Sequence, residues 1–486
     1  VKYELDKNVI IEKELDKDNY ATEIFDKEFV VPNPTRLGYV FDGWIISTSQ
    51  INTTTMEETF INVCPDPKSD GTSTVTFTAT WKLNPYEIGK CVGSESSGKY
   101  GDYFVYNGVS KIPLSIHSNN TNDSSKIIFN FEGSGSILTG KTITINSPID
   151  ELFIIGNPNT IYYNFNIILS GYENSANTFK IHLVNVKFEN SSISNNYNNL
   201  VSGNRLSAII ECVGNCAVNS SDRDAIGGFE NVMINGTGIM IAKGGTGKSG
   251  INDGDNGSDG FNGINILGNL VIDFDGTVEI SGGTGGNGAT GKPGNNGKTN
   301  DDHYKVKCNY GIFGIEIQTI NCYYQAYSGT DGGNGGNGGN GGQPIVCNTI
   351  NIQNGNMIMR CGSGGKGGAG GTGGTGGKGH DYYGYAKGVS YLICYDPGQG
   401  GNAGNGGNGG KGGASGKSSI GLVVYGNANA VSYSGEGGQG GAAGSPGIIG
   451  VGGNGGESHA TKNDHYVGKA ADGAPGTFGK KGSNGK

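Results

Sequence analysis

The sequence predicts an all-β protein: a small N-terminal β module, then β-solenoid or sandwich strands that carry extended glycine arms. Three observations predict it. The chain opens on alternating side chains, Val1, Tyr3 and Leu5 against Lys2, Glu4 and Asp6, which describes a strand with one dry face. From residue 101 short apolar runs such as KIIFNF, KTITIN and ELFIIG recur between Asn, Ser and Gly clusters, with no helical period. After residue 226 glycine pairs return every three residues, most plainly as GGNGGNGGNGG at Gly332–Gly342.

A period of three with two glycines fits neither an α-helix nor an ordinary strand. It fits the left-handed extended helix of three residues per turn, in which this tract would span roughly 34 Å at ~3.1 Å per residue. Similar tracts stand at Gly282–Gly288, Gly364–Gly379, Gly400–Gly413 and Gly437–Gly444. Collagen needs one Gly in every third place and much Pro. Here the glycines are paired, the tracts are interrupted and the chain holds 13 Pro. A flexible linker is the plain alternative, since Gly loses more backbone freedom on ordering than any other residue. Against it, strand sequence brackets each tract, and side-by-side packing with N–H···O=C bonds between tracts can offset the lost entropy. The tracts are expected to form a packed bundle of polyglycine II helices.

Residues 31–82 read PNPTRLGYVFDGW and then TVTFTATWK. Gly38 and Gly43 suit turns, and Tyr39, Phe41, Trp44, Phe77 and Trp81 supply aromatic area for a small core. With Pro34, Thr35, Arg36 and Ala79, these residues resemble the internalin-type B repeat, also called the Listeria–Bacteroides repeat; Ile45 stands where that family usually has Tyr. The resemblance implies a β-grasp-like module in 1–82, a non-catalytic spacer or interaction unit of extracellular and cell-surface proteins. Residues 83–100 read as a polar linker and 101–225 as a short-strand β region. Residues 226–486 repeat a unit of strand, turn, strand and glycine tract, as in GINILGNLVIDFDGTVEISGGTGG. That unit looks like β-helical repeats of carbohydrate-binding-like surface proteins, which implies an outside location and suggests a sugar ligand.

Net charge is −9, and no basic stripe interrupts it, which argues against nucleic acid as a partner. No run of about 18 apolar residues is present to span a membrane. The start at Val1, without a Met or leader pattern, reads as a mature or trimmed product. Of nine cysteines, Cys64 with Cys91, Cys212 with Cys216, Cys308 with Cys322 and Cys347 with Cys361 are near neighbours and candidate disulfides, and Cys394 is left over. Disulfides would place the chain in an oxidising compartment; buried free thiols are the alternative. Glycosylation acceptor triplets begin at Asn52, Asn119, Asn122, Asn190, Asn219, Asn235 and Asn256, again favouring an extracellular or cell-surface location.

Candidate chemistry is sparse. Asp273 and Asp275 share one strand face, where paired carboxylates could serve a glycosidase, though a solvated face explains them as well. Asp253, Asp255 and Asp259 lie in a Gly-rich loop with oxygen ligands spaced for calcium, but the distal bidentate Glu is missing; no other cofactor is indicated. His303, His380 and His465 each neighbour Asp and Tyr without a nucleophile signature beside them. Tyr323, Tyr324, Tyr382 and Tyr383, with Tyr162 and Tyr163, are the places to look for a sugar-stacking platform. The sequence therefore points to a non-enzymatic extracellular structural protein, a rigid rod that self-assembles into a filament or coat through the Val1–Asp6 strand. A glycan-binding adhesin is second and an ice-binding protein third. The partners expected are further copies of the chain or surface glycans.

Overall fold

A computed structural model describes residues 2–6, 9–12, 29–30, 39–47, 52–55, 59–60, 66–67, 73–74, 76–84, 98–100, 103–108, 115–116, 126–131, 141–145, 151–169, 178–195, 206–309, 316–379, 399, 401–416, 421–425, 428–442, 445 and 471–485. Among them every regular element is a strand, arranged in several sheets. The protein is all-β, as its patterning requires.

In the N-terminal part, Lys2–Asp6 lies between Val9–Glu12, antiparallel, and Thr76–Leu83, parallel. Thr76–Leu83 continues to Tyr39–Ser47 and that strand to Asn52–Thr55. Trp44 is buried, with Phe41 edge-on at 5.2 Å and Trp81 a further 5.8 Å from Phe41. Three of the five aromatics expected to form a core, Phe41, Trp44 and Trp81, are thus packed together. The expected role of Val1–Asp6 is corrected: Lys2–Asp6 has strand partners on both sides, so its edges are not free to join a neighbouring molecule.

Beyond the N-terminal part the described strands stack isoleucine. Ile127, Leu152, Ile181, Ile210, Ile234, Ile272 and Ile352 occupy one register position of successive parallel strands. A second column runs through Ile143, Ile167, Ile193, Ile226, Ile264 and Ile345 in the 7-stranded sheet. Both columns are buried in one core. β-Branched side chains suit this because their stiff χ1 packs well on a pleated surface. Apart from the antiparallel Gly98–Tyr100 and a register shift at Asp273–Thr277, the ladders are parallel and in register, which excludes a sandwich of antiparallel sheets. The 13-stranded sheet also passes unbroken through residue 225, where composition changes, and takes in Gly98–Tyr100 from the expected linker.

The long strands turn a corner partway along. Ser207–Asn219, Val232–Lys243 and Asn269–Ser281 place Gly214, Gly238 and Gly276 in register, with φ of 79°, 106° and 149°. A Cβ on Gly238 would stand 2.3 Å from the Gly214 carbonyl oxygen. Only Gly meets both demands, and the turn inside each repeat is therefore a corner within one strand.

Candidate functional site

The glycine tracts leave the ends of these strands and return to the next. One tract runs out from Gly282 and another returns to Gly342; they pair antiparallel through Gly333 to Lys292, Gly336 to Ala289, Gly339 to Gly286 and Gly342 to Gly283, N–H to O=C at 2.7–2.8 Å. The returning tract runs parallel to the next returning tract, with Gly335 donating to Asn408 O and Gly338 to Lys411 O, both at 2.8 Å. On a third side it receives N–H bonds from Gly365, Gly368 and Gly371. Contacts recur every three residues, as a threefold repeat requires.

Both glycines of the Gly335–Gly336 pair are enclosed. A Cβ on Gly335 would meet Gly368 O at 2.1 Å, and one on Gly336 would meet Asp255 O at 1.8 Å. That is the physical reason for the pairing: at pairs such as this one, two of every three residues face another backbone too closely for any side chain, whereas Gly333, with its nearest atom at 3.1 Å, is looser.

The third residue has a role that the sequence did not reveal. Its own N–H donates to no backbone carbonyl. Instead Asn337 N–H donates to Asn256 Oδ1 at 2.7 Å and Asn340 N–H to Asp259 Oδ1 at 2.7 Å. In the next layer Asn408 N–H donates to Asn334 Oδ1, Lys411 N–H to Asn337 Oδ1, and Ala414 N–H to Asn340 Oδ1, at 2.9, 2.9 and 3.0 Å. Beyond that, Thr477 and Lys480 donate to Asn405 and Asn408. The glycine after each such Asn donates to the carbonyl of the same residue, as Gly338 does to Lys411. Each Asn–Gly pair thus grips both backbone groups of one residue on the next tract. The signal was present as Asn in every third place, but it reads as surface polarity until a neighbouring tract is in view.

Asp255 and Asp259 belong to this scheme. Asp255 accepts the Asn252 backbone N–H at 2.9 Å beside Gly254 (φ 77°), closing the turn of the first arm. Asp253 is exposed. Among the described residues no group of three His, Cys, Asp or Glu is placed to hold a metal ion, and the three aspartates are not gathered as calcium ligands. Asp273 and Asp275 are exposed on the outer face, Asp273 between Asn235 and Asn354 in register.

The disulfide expectation is corrected for the pairs that the structure describes. Cys212 and Cys216 are free and buried. They flank the Gly214 corner as small members of apolar columns, Cys212 beside Leu183 and Cys216 beside Met240. The Cys216 thiol donates to Leu183 O at 3.3 Å. A hydrogen bond with Cys216, then burial, pushes the Cys212 thiol up. Cys347 and Cys361 are also free and half-buried, because all of Thr349–Arg360 lies between them. Burial pushes Cys347 up to about 11. In the hairpin of His303–Asn309 with Glu316–Tyr323, Cys308 is opposite Gln318 and Cys322 opposite Tyr304. That register separates them by about 13 Å along the strand, beyond disulfide reach. Cys64, Cys91 and Cys394 lie outside the described residues.

Of the acceptor triplets, Asn190 and Asn256 are exposed. Asn219 Nδ2 instead donates to Glu189 at 2.6 Å, and Asn235 Oδ1 is buried within the wall. Asn52 opens a strand; Asn119 and Asn122 fall outside the described residues. Tyr162 is a core residue: its hydroxyl accepts from Asn157 N–H at 3.0 Å and donates to Phe131 O at 3.1 Å. Tyr163 and Tyr324 are exposed, as is Tyr327. Tyr323 and His303 are opposite each other at the hairpin's open end. Tyr382, Tyr383, His380 and His465 lie outside the described residues.

A pair that the sequence did not single out is His182 and Glu211, in adjacent strands at one register position. His182 stacks on Phe153, centroids 4.0 Å apart, and its Nδ1 bonds Glu211 at 2.5 Å. This hydrogen bond holds the Glu211 carboxyl below its ordinary value.

No family model matches this chain, and no curated protein matches it. A solved structure similar over part of the chain is the springtail antifreeze protein of Granisotoma rainieri, described as a bundle of nine polyproline type II helices, at 21% identity over 48% of this chain and 92% of that one, with a TM-score of 0.09. At that TM-score the likeness carries no argument.

Proposed function

We propose that this chain is a non-enzymatic structural protein of the cell exterior, a rigid rod in which a β-solenoid body carries a packed polyglycine II bundle. The observation that carries the reading is the three-sided hydrogen bonding of the Gly329–Gly342 tract, in which each residue of a Gly-Gly-Asn repeat donates to a different partner. A tether needs none of these bonds. A scaffold gains from all of them, since a load along the arms is shared by many backbone bonds at once. The exterior location rests on the acceptor triplets, of which Asn190 is the exposed example beside the β core. The N-terminal module is read as a B-repeat-like spacer.

Assembly, in this reading, runs through the last described rung rather than the first strand. Gly421–Val424 and Asn429–Tyr433 pair with Thr349–Arg360 on one side, and among the described residues no strand covers the other. Val423, Val424, Tyr425, Val431 and Tyr433 are exposed there. Such an edge is a template for strand addition. Negative-stain microscopy and amide hydrogen exchange test the proposal together. Rods with slowly exchanging tract glycines support it; glycines that exchange like those of an unfolded peptide would end it.

The glycan-binding reading is favoured by exposed Tyr324 and Tyr327 at the start of a returning arm. A glycan array read with Tyr324→Ala and Tyr327→Ala separates it from the scaffold reading. Ice binding is disfavoured by Lys366, Lys411 and Lys480 among the third residues of the arms, and a freezing-hysteresis assay checks it.

A further inference from the structure

Asn followed by Gly is the junction most open to spontaneous deamidation, because no side chain hinders the following nitrogen, and Asn is among the thermolabile residues. The Gly nitrogen, once deprotonated, attacks Asn Cγ. An N–Cγ bond forms, the Cγ–Nδ2 bond breaks and ammonia leaves. Water then opens the cyclic imide to Asp or isoaspartate. A chain this rich in Asn–Gly would be expected to age quickly.

In the described tracts both reacting groups are engaged. At Asn337–Gly338 the attacking N–H donates to Lys411 O and the amide Oδ1 accepts Lys411 N–H. Asn340–Gly341 holds Ala414 in the same way, Asn405–Gly406 holds Thr477, Asn408–Gly409 holds Lys480, and Asn287–Gly288 holds Lys366. Asn107–Gly108, in the β body, is buried with both groups on Asn130.

Asn354–Gly355 differs. It sits at the corner of Thr349–Arg360, where the ladder with Asn269–Ser281 loses register between Asp273 and Thr277. Asn354 is exposed, Gly355 has φ 86°, and the Gly355 N–H donates to the Oδ1 of Asn354 itself at 2.9 Å. The nucleophile is therefore already held beside its own target carbon.

We propose that the Asn–Gly grip protects the arms from deamidation, and that among the described Asn–Gly junctions Asn354 is the modification site at which the folded chain deamidates first. The test is incubation of the full chain at mildly alkaline pH with peptide mapping of Asp and isoaspartate, folded and in guanidinium. The folded chain should convert Asn354 first. Asn337, Asn340 and Asn408 should convert roughly 30-fold more slowly folded than unfolded, the rate equivalent of about 2 kcal/mol for two net hydrogen bonds. Asn354→Gln should remove the early product and leave the slow ones unchanged. Equal rates at Asn354 and Asn337 in the folded chain would overturn the proposal, as would no folded-state protection of the tract residues.

Discussion

Asn337 holds Lys411 by both of its backbone groups: the Asn337 Oδ1 accepts the Lys411 N–H at 2.9 Å, and the N–H of the next residue, Gly338, donates to the Lys411 carbonyl at 2.8 Å. The same grip is repeated from layer to layer, so each tract is registered against the last by side chains as well as by backbone. The glycines make close approach feasible, and the asparagines set where along the tract it occurs.

Removing the acceptor should therefore loosen register. Asn337→Ala leaves the Lys411 N–H without its partner, and a lost hydrogen bond of this kind costs about 1 kcal/mol. The amide proton of Lys411 should exchange faster, while that of Gly338 changes less. Asn337→Asp should largely restore protection, since Asp259 and Asp331 already serve as acceptors for Asn340 and Asn405. Equal protection of Lys411 in the Ala and Asp variants would count against the grip.

The all-β class was legible from alternation and from short apolar runs, because inward and outward residues differ in kind along every strand. The paired glycines were legible too, since only an enclosed backbone demands them. Partner identity was not. Asn256 and Asn337 are 81 residues apart, and nothing local says which tract lies beside which. The cysteines misled for a related reason. Cys212 and Cys216 are close in sequence because a corner at Gly214 lies between two inward positions, not because a bond joins them. Tyr162 looked like half of a surface pair, yet its hydroxyl is taken by Asn157 and Phe131.

Two glycines of one tract should respond differently to the same change. A Cβ on Gly339 would meet Ser258 O at 1.9 Å, whereas one on Gly333 meets its nearest atom, Lys292 N, at 3.1 Å. Gly339→Ala should force neighbouring tracts apart and destabilise by roughly 1–3 kcal/mol. Gly333→Ala needs a shift of a few tenths of an ångström and should approach neutrality, helped by the lower entropy of the unfolded chain. Urea unfolding of the two variants is the measurement, and indistinguishable midpoints would contradict the enclosed packing.

Acid should weaken the β body at one identifiable place. Glu211 is held below its ordinary value by the hydrogen bond to His182. A carboxyl with a lowered folded value adds stability that is present above its unfolded value and lost as pH falls through the folded one. Stability should therefore decline below about pH 4, where unfolded Glu begins to bind its proton. Glu211→Gln should flatten that part of the profile. His182→Ala should return the Glu211 titration, followed by NMR, toward the ordinary range.

Thiol chemistry distinguishes packed cysteines from bonded ones. Cys212 and Cys216 are at most 2% exposed, and the thiolate is the reactive form. The Cys212 thiol is pushed up by its partner and by burial, whereas the hydrogen bond with Cys212 holds the Cys216 thiol below its ordinary value; burial shields both, so neither should react with iodoacetamide in the native protein at neutral pH. Both should react in guanidinium without any reductant, because no bond has to be broken first. Cys347 is half-buried and pushed up to about 11, so its native labelling should be slow at neutral pH and should accelerate as pH rises toward that value. Mass spectrometric mapping of each alkylated peptide reads all three sites in one experiment. Labelling of Cys212 and Cys216 only after reduction would mean that they are joined, and the corner at Gly214 would then be held by a covalent bond instead of by packing.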